Sequence, residues 1–367
     1  MSTVQKYDGK SGRFSKSIFE GMGVDRMLVG VLAEAGNQNW ARNTWRKHAT
    51  AEGHIKRYEK EVGRSLNFPF TKVDTLNYVG YLLRRGVKGD TISSYVSSIR
   101  AAHIFRGYCC PALRDELVTA VINGARNRDL GDTRAPRLAM TPALMREFKE
   151  RIKVEKMSLY DKRLLWCVAV FSFWGSLRVH EILSVKPDEF TPDKTMVWSD
   201  VRLDKLDLEG RKVEVVRLRI RNPKESNSQH TTQFVELVET KGWMCPVNAF
   251  RALEQMKSRK IGKMSPLCRR KDGSLLTGRI LNKLLEEHLR GKADYLGGKV
   301  SSHSFRAGLA TALARLGYEE EAIKAMGRWK SDAYMLYVKR GTVGNLKAQQ
   351  EMFGRIMEGA RGKEGSK

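Results

Sequence analysis

The stretch that most constrains this chain runs from Ser301 to Tyr337. His303 and Arg306 stand three residues apart, so on a helix they share a face about one turn apart. Ser301 or Ser302 can cap that helix, Leu309, Leu313 and Leu316 give it an apolar stripe, and Gly317 ends it. Glu319 to Met326 follows as a second short helix stopped by Gly327. Arg328, Trp329 and Lys330 come next, and Ser331 is a good N-cap for a third helix carrying Tyr334 and Tyr337. The pattern therefore predicts three short helices that bring a histidine, several cations, a tryptophan and two tyrosines together. Taken alone, His303 and Arg306 equally fit an amphipathic bundle with an incidental surface pair.

Composition narrows the partners. The 367 residues suffice for two domains with separate cores, and 67 Lys and Arg against 41 Asp and Glu leave a net charge of +26. Such an excess favours a polyanion, most commonly nucleic acid. An apolar content of 41% and seven Trp argue for a folded globule, not a basic disordered tail. No run of eighteen apolar residues suggests a membrane span, and the polar start at 1–12 does not resemble a signal peptide. Cys109, Cys110, Cys167, Cys245 and Cys268 show no CxxC spacing and read as reduced thiols of an intracellular protein. No P-loop, GxGxxG or HExxH occurs, so neither a cofactor nor a metal is expected.

Along the chain, residues 1–38 read as a mobile start with one short helix near Met27 to Leu32. Residues 39–128 read as four helices: Asn39 to Val62, Val73 to Arg85, Ile92 to Arg106 and Pro111 to Ala125. Residues 129–140, with Gly131 and Pro136, lack periodicity and read as a linker. Helices are then expected from Pro142 to Val154 and from Tyr160 to Trp174, where Gly175 breaks the second. Val213 to Arg221 alternates apolar and charged residues and predicts a strand, with Gln233 to Val238 as its partner and 222–232 as the connection. Helices at Ala249 to Lys257 and Arg279 to Leu289 complete the pattern. Arg178 and Glu181, just after the Gly175 break, fit either a helical i,i+3 ion pair or an Arg projected into a cleft from a helix start.

These motifs resemble the tyrosine recombinases, the phage-integrase-like family. Arg178 and Glu181, after the Gly175 break, match the Arg and the acid of its Gly-x-x-Arg-x-x-Glu-Leu box. His303-x-x-Arg306, then Gly327-Arg328-Trp329, then Tyr337 ten residues after Gly327 match its C-terminal signature. The resemblance covers residues 140–345 well and 39–128 weakly.

The resemblance implies a mainly α fold with a small antiparallel β-sheet, arranged as a two-domain C-shaped DNA clamp. Residues 39–128 would be the core-binding domain, 141–345 the catalytic domain, and 346–367 a C-terminal helix and tail exchanged between protomers. It implies that Arg178 and Arg306 hold the scissile phosphate, with His303 beside it and Glu181 in support. Lys224 on the β-hairpin would be the general acid (Lys212 and Lys241 are rivals), and Tyr337 the nucleophile. The position filled by His in many members falls on Trp329 after a one-residue shift, the preferred alignment, in which the indole N–H is the donor and Arg328 supports the site; without a gap it falls on Arg328. Tyr334 is the rival of Tyr337. The implied partners are double-stranded DNA and, on paired sites, three further copies of the chain forming a homotetramer. The free protein would be a monomer or dimer without metal or cofactor. DNA relaxation of the type IB topoisomerase kind, or DNA binding without cleavage, would leave the same motifs.

Overall fold

In a computed structural model, the described residues are 16–38, 42–129, 137–190, 195–221, 233–240, 242–329 and 331–336. Lys224, Tyr337, Lys241 and the tail 346–367 lie outside them. The chain divides into two compact units, residues 1–134 and 135–367.

The first unit is helical. Its elements are α1 (Lys16–Gly21), α2 (Arg26–Gln38), α3 (Arg42–Val62), α4 (Lys72–Arg84), α5 (Gly89–Ile104) and α6 (Glu116–Asp129). The sequence predicts one helix from Pro111 to Ala125. Instead a 3₁₀ turn spans Pro111–Arg114, and α6 starts afresh after Asp115. Asp115 explains the break: its side-chain Oδ1 accepts the Leu117 N–H at 2.9 Å, the bond of a new helix start. α4 begins at a reciprocal cap, where Thr71 Oγ1 accepts the Asp74 N–H and Asp74 Oδ2 accepts the Thr71 N–H, each at 3.1 Å. Ile55, Tyr58, Phe68, Tyr78, Leu82, Ile92 and Ile99 form the core.

His103 is fully buried in this unit. Its Nε2 accepts the Phe70 N–H at 2.9 Å, which leaves Nδ1 as the donor to the Ile99 carbonyl at 2.8 Å. Both ring nitrogens are thus used by the neutral form. Burial pushes the imidazole pKa down to about 4, against a partial opposing effect of the Ile99 bond.

The second unit contains α7 (Pro142–Val154), α8 (Leu159–Trp174), the single turn α9 (Val179–Ile182), β1 (Val201–Leu208), β2 (Arg211–Ile220) and β3 (Gln233–Val238). It continues with α10 (Pro246–Glu254), α11 (Gly278–Leu289), α12 (Lys292–Tyr295), α13 (Ser302–Arg315) and α14 (Glu320–Gly327). The strands form one antiparallel sheet in the order β1-β2-β3, with Val201 opposite Leu218 and Leu218 opposite Val235. The protein is therefore mainly α with a small antiparallel sheet. The strand β1 goes beyond the sequence reading, because its residues are mostly exposed and Lys205 interrupts the alternation. α8 is buried nearly all round, from Leu164 to Phe173, and carries the core. No helix of the described residues is long and apolar enough to cross a membrane.

Candidate active site

The site is assembled from chain segments far apart in sequence, and α13 is its base. Ser301 stands at the N-cap and the Ser302 N–H is held by Asn282 Oδ1 at 2.7 Å, so α11 fixes where α13 starts. Phe305, Leu309 and Leu313 anchor α13 in the core, while Leu316, expected on the same stripe, is 75% exposed in the turn beyond the helix. The backbone of 138–140 crosses α13: Leu138 N–H donates to the Lys299 carbonyl and Met140 N–H to the Ser304 carbonyl, each at 2.8 Å. Gly308 permits that crossing, because a Cβ there would fall on the Met140 carbonyl oxygen.

Arg306 is 2% exposed, and its Nη1 donates to the Ser176 carbonyl at 2.5 Å. Its guanidinium carbon lies over the Trp329 ring, 4.3 Å from the ring centre. His303, one turn earlier, is exposed. Partial desolvation, then the charges of Arg137, His180, Arg306 and Arg178, hold its pKa below the ordinary histidine value. An uncharged imidazole at neutral pH follows.

The Ser176 carbonyl owes its direction to an unusual backbone. α8 ends at Trp174, Gly175 keeps right-handed helical angles, and the chain reverses at Ser176 with φ of +46°. That conformation is strained for a residue with a Cβ. It is followed by Arg178 at the N-cap of α9, so the Arg stands at a helix start, as one of the two sequence readings has it.

Glu181 has a side chain with no exposed surface. Its Oε2 accepts the Arg178 N–H at 2.9 Å and Arg328 Nη2 at 2.7 Å; its Oε1 accepts Arg178 Nη1 at 3.2 Å and Arg328 Nη1 at 3.4 Å. Burial by itself would push the carboxyl up. The charge and hydrogen bond of Arg328, then the N–H and charge of Arg178, outweigh it and hold Glu181 below its ordinary value. Glu181 is therefore ionised.

Arg328 closes α14 in the left-handed conformation, with φ of +56°. Its guanidinium also donates to the Ser176 carbonyl at 3.3 Å and to Gln233 Oε1 at 3.2 Å. Gly327 is needed beside it, since a Cβ there would fall on the six-membered ring of Trp329. Tyr334, in the 3₁₀ turn Asp332–Leu336, is buried with its ring 6.2 Å from that of Trp329. Desolvation, then a hydrogen bond with Glu320, raises its phenol pKa. Tyr334 is a packed core residue in this arrangement.

The structure thus brings Arg178, Glu181, His303, Arg306, Arg328 and Trp329 into one neighbourhood, while Lys224 and Tyr337 fall outside the described residues. Three contributors escaped the sequence reading: Asn282, Gln233 and Asp200. Asp200 Oδ2 accepts Arg221 Nε at 2.6 Å and the Val197 N–H at 2.9 Å, which pins the end of β2 from which segment 222–232 departs. Among the described residues no cluster of His, Cys, Asp and Glu could hold a metal ion.

No protein-family model matches the chain, and no curated protein matches it by sequence. Solved structures do match. The Tn1549 transposon integrase in complex with transposon right end DNA aligns with a TM-score of 0.53 at 16% identity, over 86% of this chain and 95% of that one. The XerH site-specific recombinase bound to a palindromic difH substrate aligns with a TM-score of 0.53 at 15% identity, over 94% and 85%. A lambda integrase dimer bound to a COC′ core site aligns with a TM-score of 0.50 at 12% identity, over 89% and 96%. The chain has the fold of the tyrosine recombinases and integrases.

Proposed function

We propose that this protein is a site-specific DNA recombinase or integrase that cleaves and rejoins DNA through a 3′-phosphotyrosyl intermediate. The observation that carries the reading is the convergence of Arg178, Arg306 and His303 around the Ser176 turn, from segments more than a hundred residues apart. Two guanidiniums can donate paired N–H bonds to the non-bridging oxygens of one phosphodiester and stabilise the extra charge of a pentacoordinate transition state. The solved relatives in fold that are crystallised on DNA, and the net charge of +26, support duplex DNA as the substrate.

In this reading the Tyr337 hydroxyl attacks phosphorus and the bond to the 5′ oxygen breaks. Lys224 gives that oxygen its proton, and neutral His303 takes or relays the phenol proton. The phosphodiester is exchanged for a phosphotyrosyl ester, so the 5′ hydroxyl of the same or another strand reverses the step without ATP. The cations of the protein supply the charge stabilisation that a metal gives elsewhere. Residues 39–128 serve as the DNA-gripping domain and 141–345 as the catalytic domain, joined through 129–140. Strand exchange takes place in a tetramer on paired sites, with residues 346–367 linking protomers.

A pool of nicked duplexes with a randomised centre tests this. The expected result is an SDS-resistant protein–DNA adduct that forms in EDTA, disappears in Tyr337→Phe and persists in Tyr334→Phe. Loss of the adduct in Tyr334→Phe alone reassigns the nucleophile, and no adduct from the wild type overturns the reading.

A further inference from the structure

Arg328 occupies a position that its backbone does not favour. The residue closing a helix in the left-handed conformation is ordinarily Gly or Asn, and here it is an Arg at φ of +56°. Its side chain accounts for the choice, because it joins the 175–181 segment to the start of β3 through several bonds at once. It forks onto Glu181, with its shorter bond at 2.7 Å, and it reaches the Ser176 carbonyl at 3.3 Å. The third contact is Gln233 Oε1, on the first residue of β3. Arg178 makes one side-chain contact to the same carboxylate, at 3.2 Å, and a second bond from its backbone N–H at 2.9 Å.

We propose that Arg328 is a positioning residue of the active site: it is the principal counter-ion of Glu181, so that Arg178 is oriented by the carboxylate without being its sole partner. The inference rests on the active-site reading above. A buried carboxylate with one cation draws that cation in and keeps it. With a second guanidinium sharing the load, three arginines and one carboxylate leave two net positive charges beside the Ser176 turn, counting Arg178, Arg306 and Arg328 against Glu181. That matches a transition state in which a phosphodiester gains a second negative charge. The charged groups around Glu181 are Arg178 and Arg328, with Arg306 meeting the same Ser176 carbonyl and His303 close to Arg306 and Arg178. The bond to Gln233 also joins this cluster to the strand that follows segment 222–232, which carries Lys224.

The test compares Arg328→Met, Glu181→Gln and the double variant on the duplexes that the wild type selects from the randomised nicked pool. Arg328→Met should slow adduct formation by on the order of a hundredfold. Adding Glu181→Gln to it should recover about tenfold, because the uncompensated charge is gone. Lowering the pH from about 8 to about 6 should also raise the rate of Arg328→Met relative to wild type, since a Glu181 with only Arg178 beside it takes up a proton more readily. A purely structural role moves neither the rescue nor the pH ratio. Wild-type rates in Arg328→Met, or equal losses in the single and double variants with a flat pH ratio, overturn the proposal. If Arg328→Met fails to fold, the uncharged Arg328→Gln replaces it, and its rate must likewise recover with Glu181→Gln or the idea is wrong. Should the wild type form no adduct, the active-site reading fails on its own, and the coupling is read from melting of the free protein: Glu181→Gln must restore the Tm lost in Arg328→Met, and no restoration overturns it.

Discussion

The two units of the protein bury polar groups in opposite ways. In the helical unit the buried imidazole of His103 is neutral, and both of its nitrogens are engaged by backbone groups of its own unit. In the second unit Glu181 and Arg306 are buried as ions, and Arg306 and Arg328 both point at a single carbonyl. Backbone conformation divides the same way. Among the described residues of 1–134, positive φ occurs only at glycines, whereas Ser176, Glu209 and Arg328 adopt it in 135–367. Glu209 sits with Gly210 in the tight turn between β1 and β2, where such angles are ordinary. Ser176 and Arg328 are different, because they meet each other in the site. One unit is closed and locally relaxed, and the other holds local unfavourable choices where charge must be aimed.

The comparison is broken most severely by taking away the geometry of the site while keeping its charge. Arg306→Lys retains a cation but loses the fork that reaches the Ser176 carbonyl and stacks on Trp329. Adduct formation should fall by on the order of a hundredfold to a thousandfold. Amide exchange in the helical unit should be unchanged. An Arg306→Lys protein that cleaves at close to the wild-type rate would remove the phosphate role of Arg306.

Acid separates the units thermodynamically. The His103 pKa is about 4 in the fold against 6.5 for a solvent-exposed imidazole, so between those values the unfolded chain binds the extra proton. Stability of the helical unit should therefore fall as pH drops from 6.5 towards 4, by about 3 kcal/mol in all, and fall no further from this group below that. Glu181, whose pKa is lowered from 4.5, contributes stability to the other unit that is fully present above 4.5 and is lost only in more acid solution. Hydrogen exchange followed from pH 7 downward should show α5 loosening before α13. His103→Gln should flatten the slope of the helical unit, leaving the smaller share of His54, which burial and then Arg57 and Arg85 hold down. An α5 that still loosens ahead of α13 by as much as in the wild type, in that variant, contradicts the assignment.

How much of this was legible in the chain depends on the range of the interaction. The 3.6-residue periodicity of α7 and α11 and the Ser301 start of α13 are local, and they read correctly. Arg178 and Glu181 are three residues apart, so their pairing was visible as one of two options. Arg328 was visible only as a motif position, because Glu181 lies 147 residues from it and Gln233 lies 95. Gly175 looks like the residue that turns the chain, yet the left-handed angle belongs to Ser176. Local pattern supplied most of the elements, though neither β1 nor the break at Asp115, and tertiary contacts alone decide which motif residues share a partner.

A smaller perturbation tests the packing of the signature itself. Gly327→Ala puts a methyl group where the Trp329 ring lies, so the ring must leave its place against Arg306. A loss of about 1–3 kcal/mol in stability is expected, with a parallel fall in cleavage as the Arg306 guanidinium loses its support. If Gly327→Ala melts and cleaves like the wild type, the ring is not fixed there.

The smallest effect has the opposite sign. Ser176 combines a left-handed backbone with a buried hydroxyl that has no hydrogen-bond partner among the described residues. Glycine accepts that φ without strain and removes the hydroxyl, against some added freedom in the unfolded chain. Ser176→Gly should therefore stabilise the protein by about 1 kcal/mol, which for a unit of this size is a rise of about 2–4 °C in Tm. The carbonyl that receives Arg306 and Arg328 is backbone and survives the change. Cleavage should persist, with any decrease reflecting a looser carbonyl and not a lost contact. A lower Tm in Ser176→Gly would mean that the serine side chain contributes to the native state, and that the strain assigned to this turn is absent.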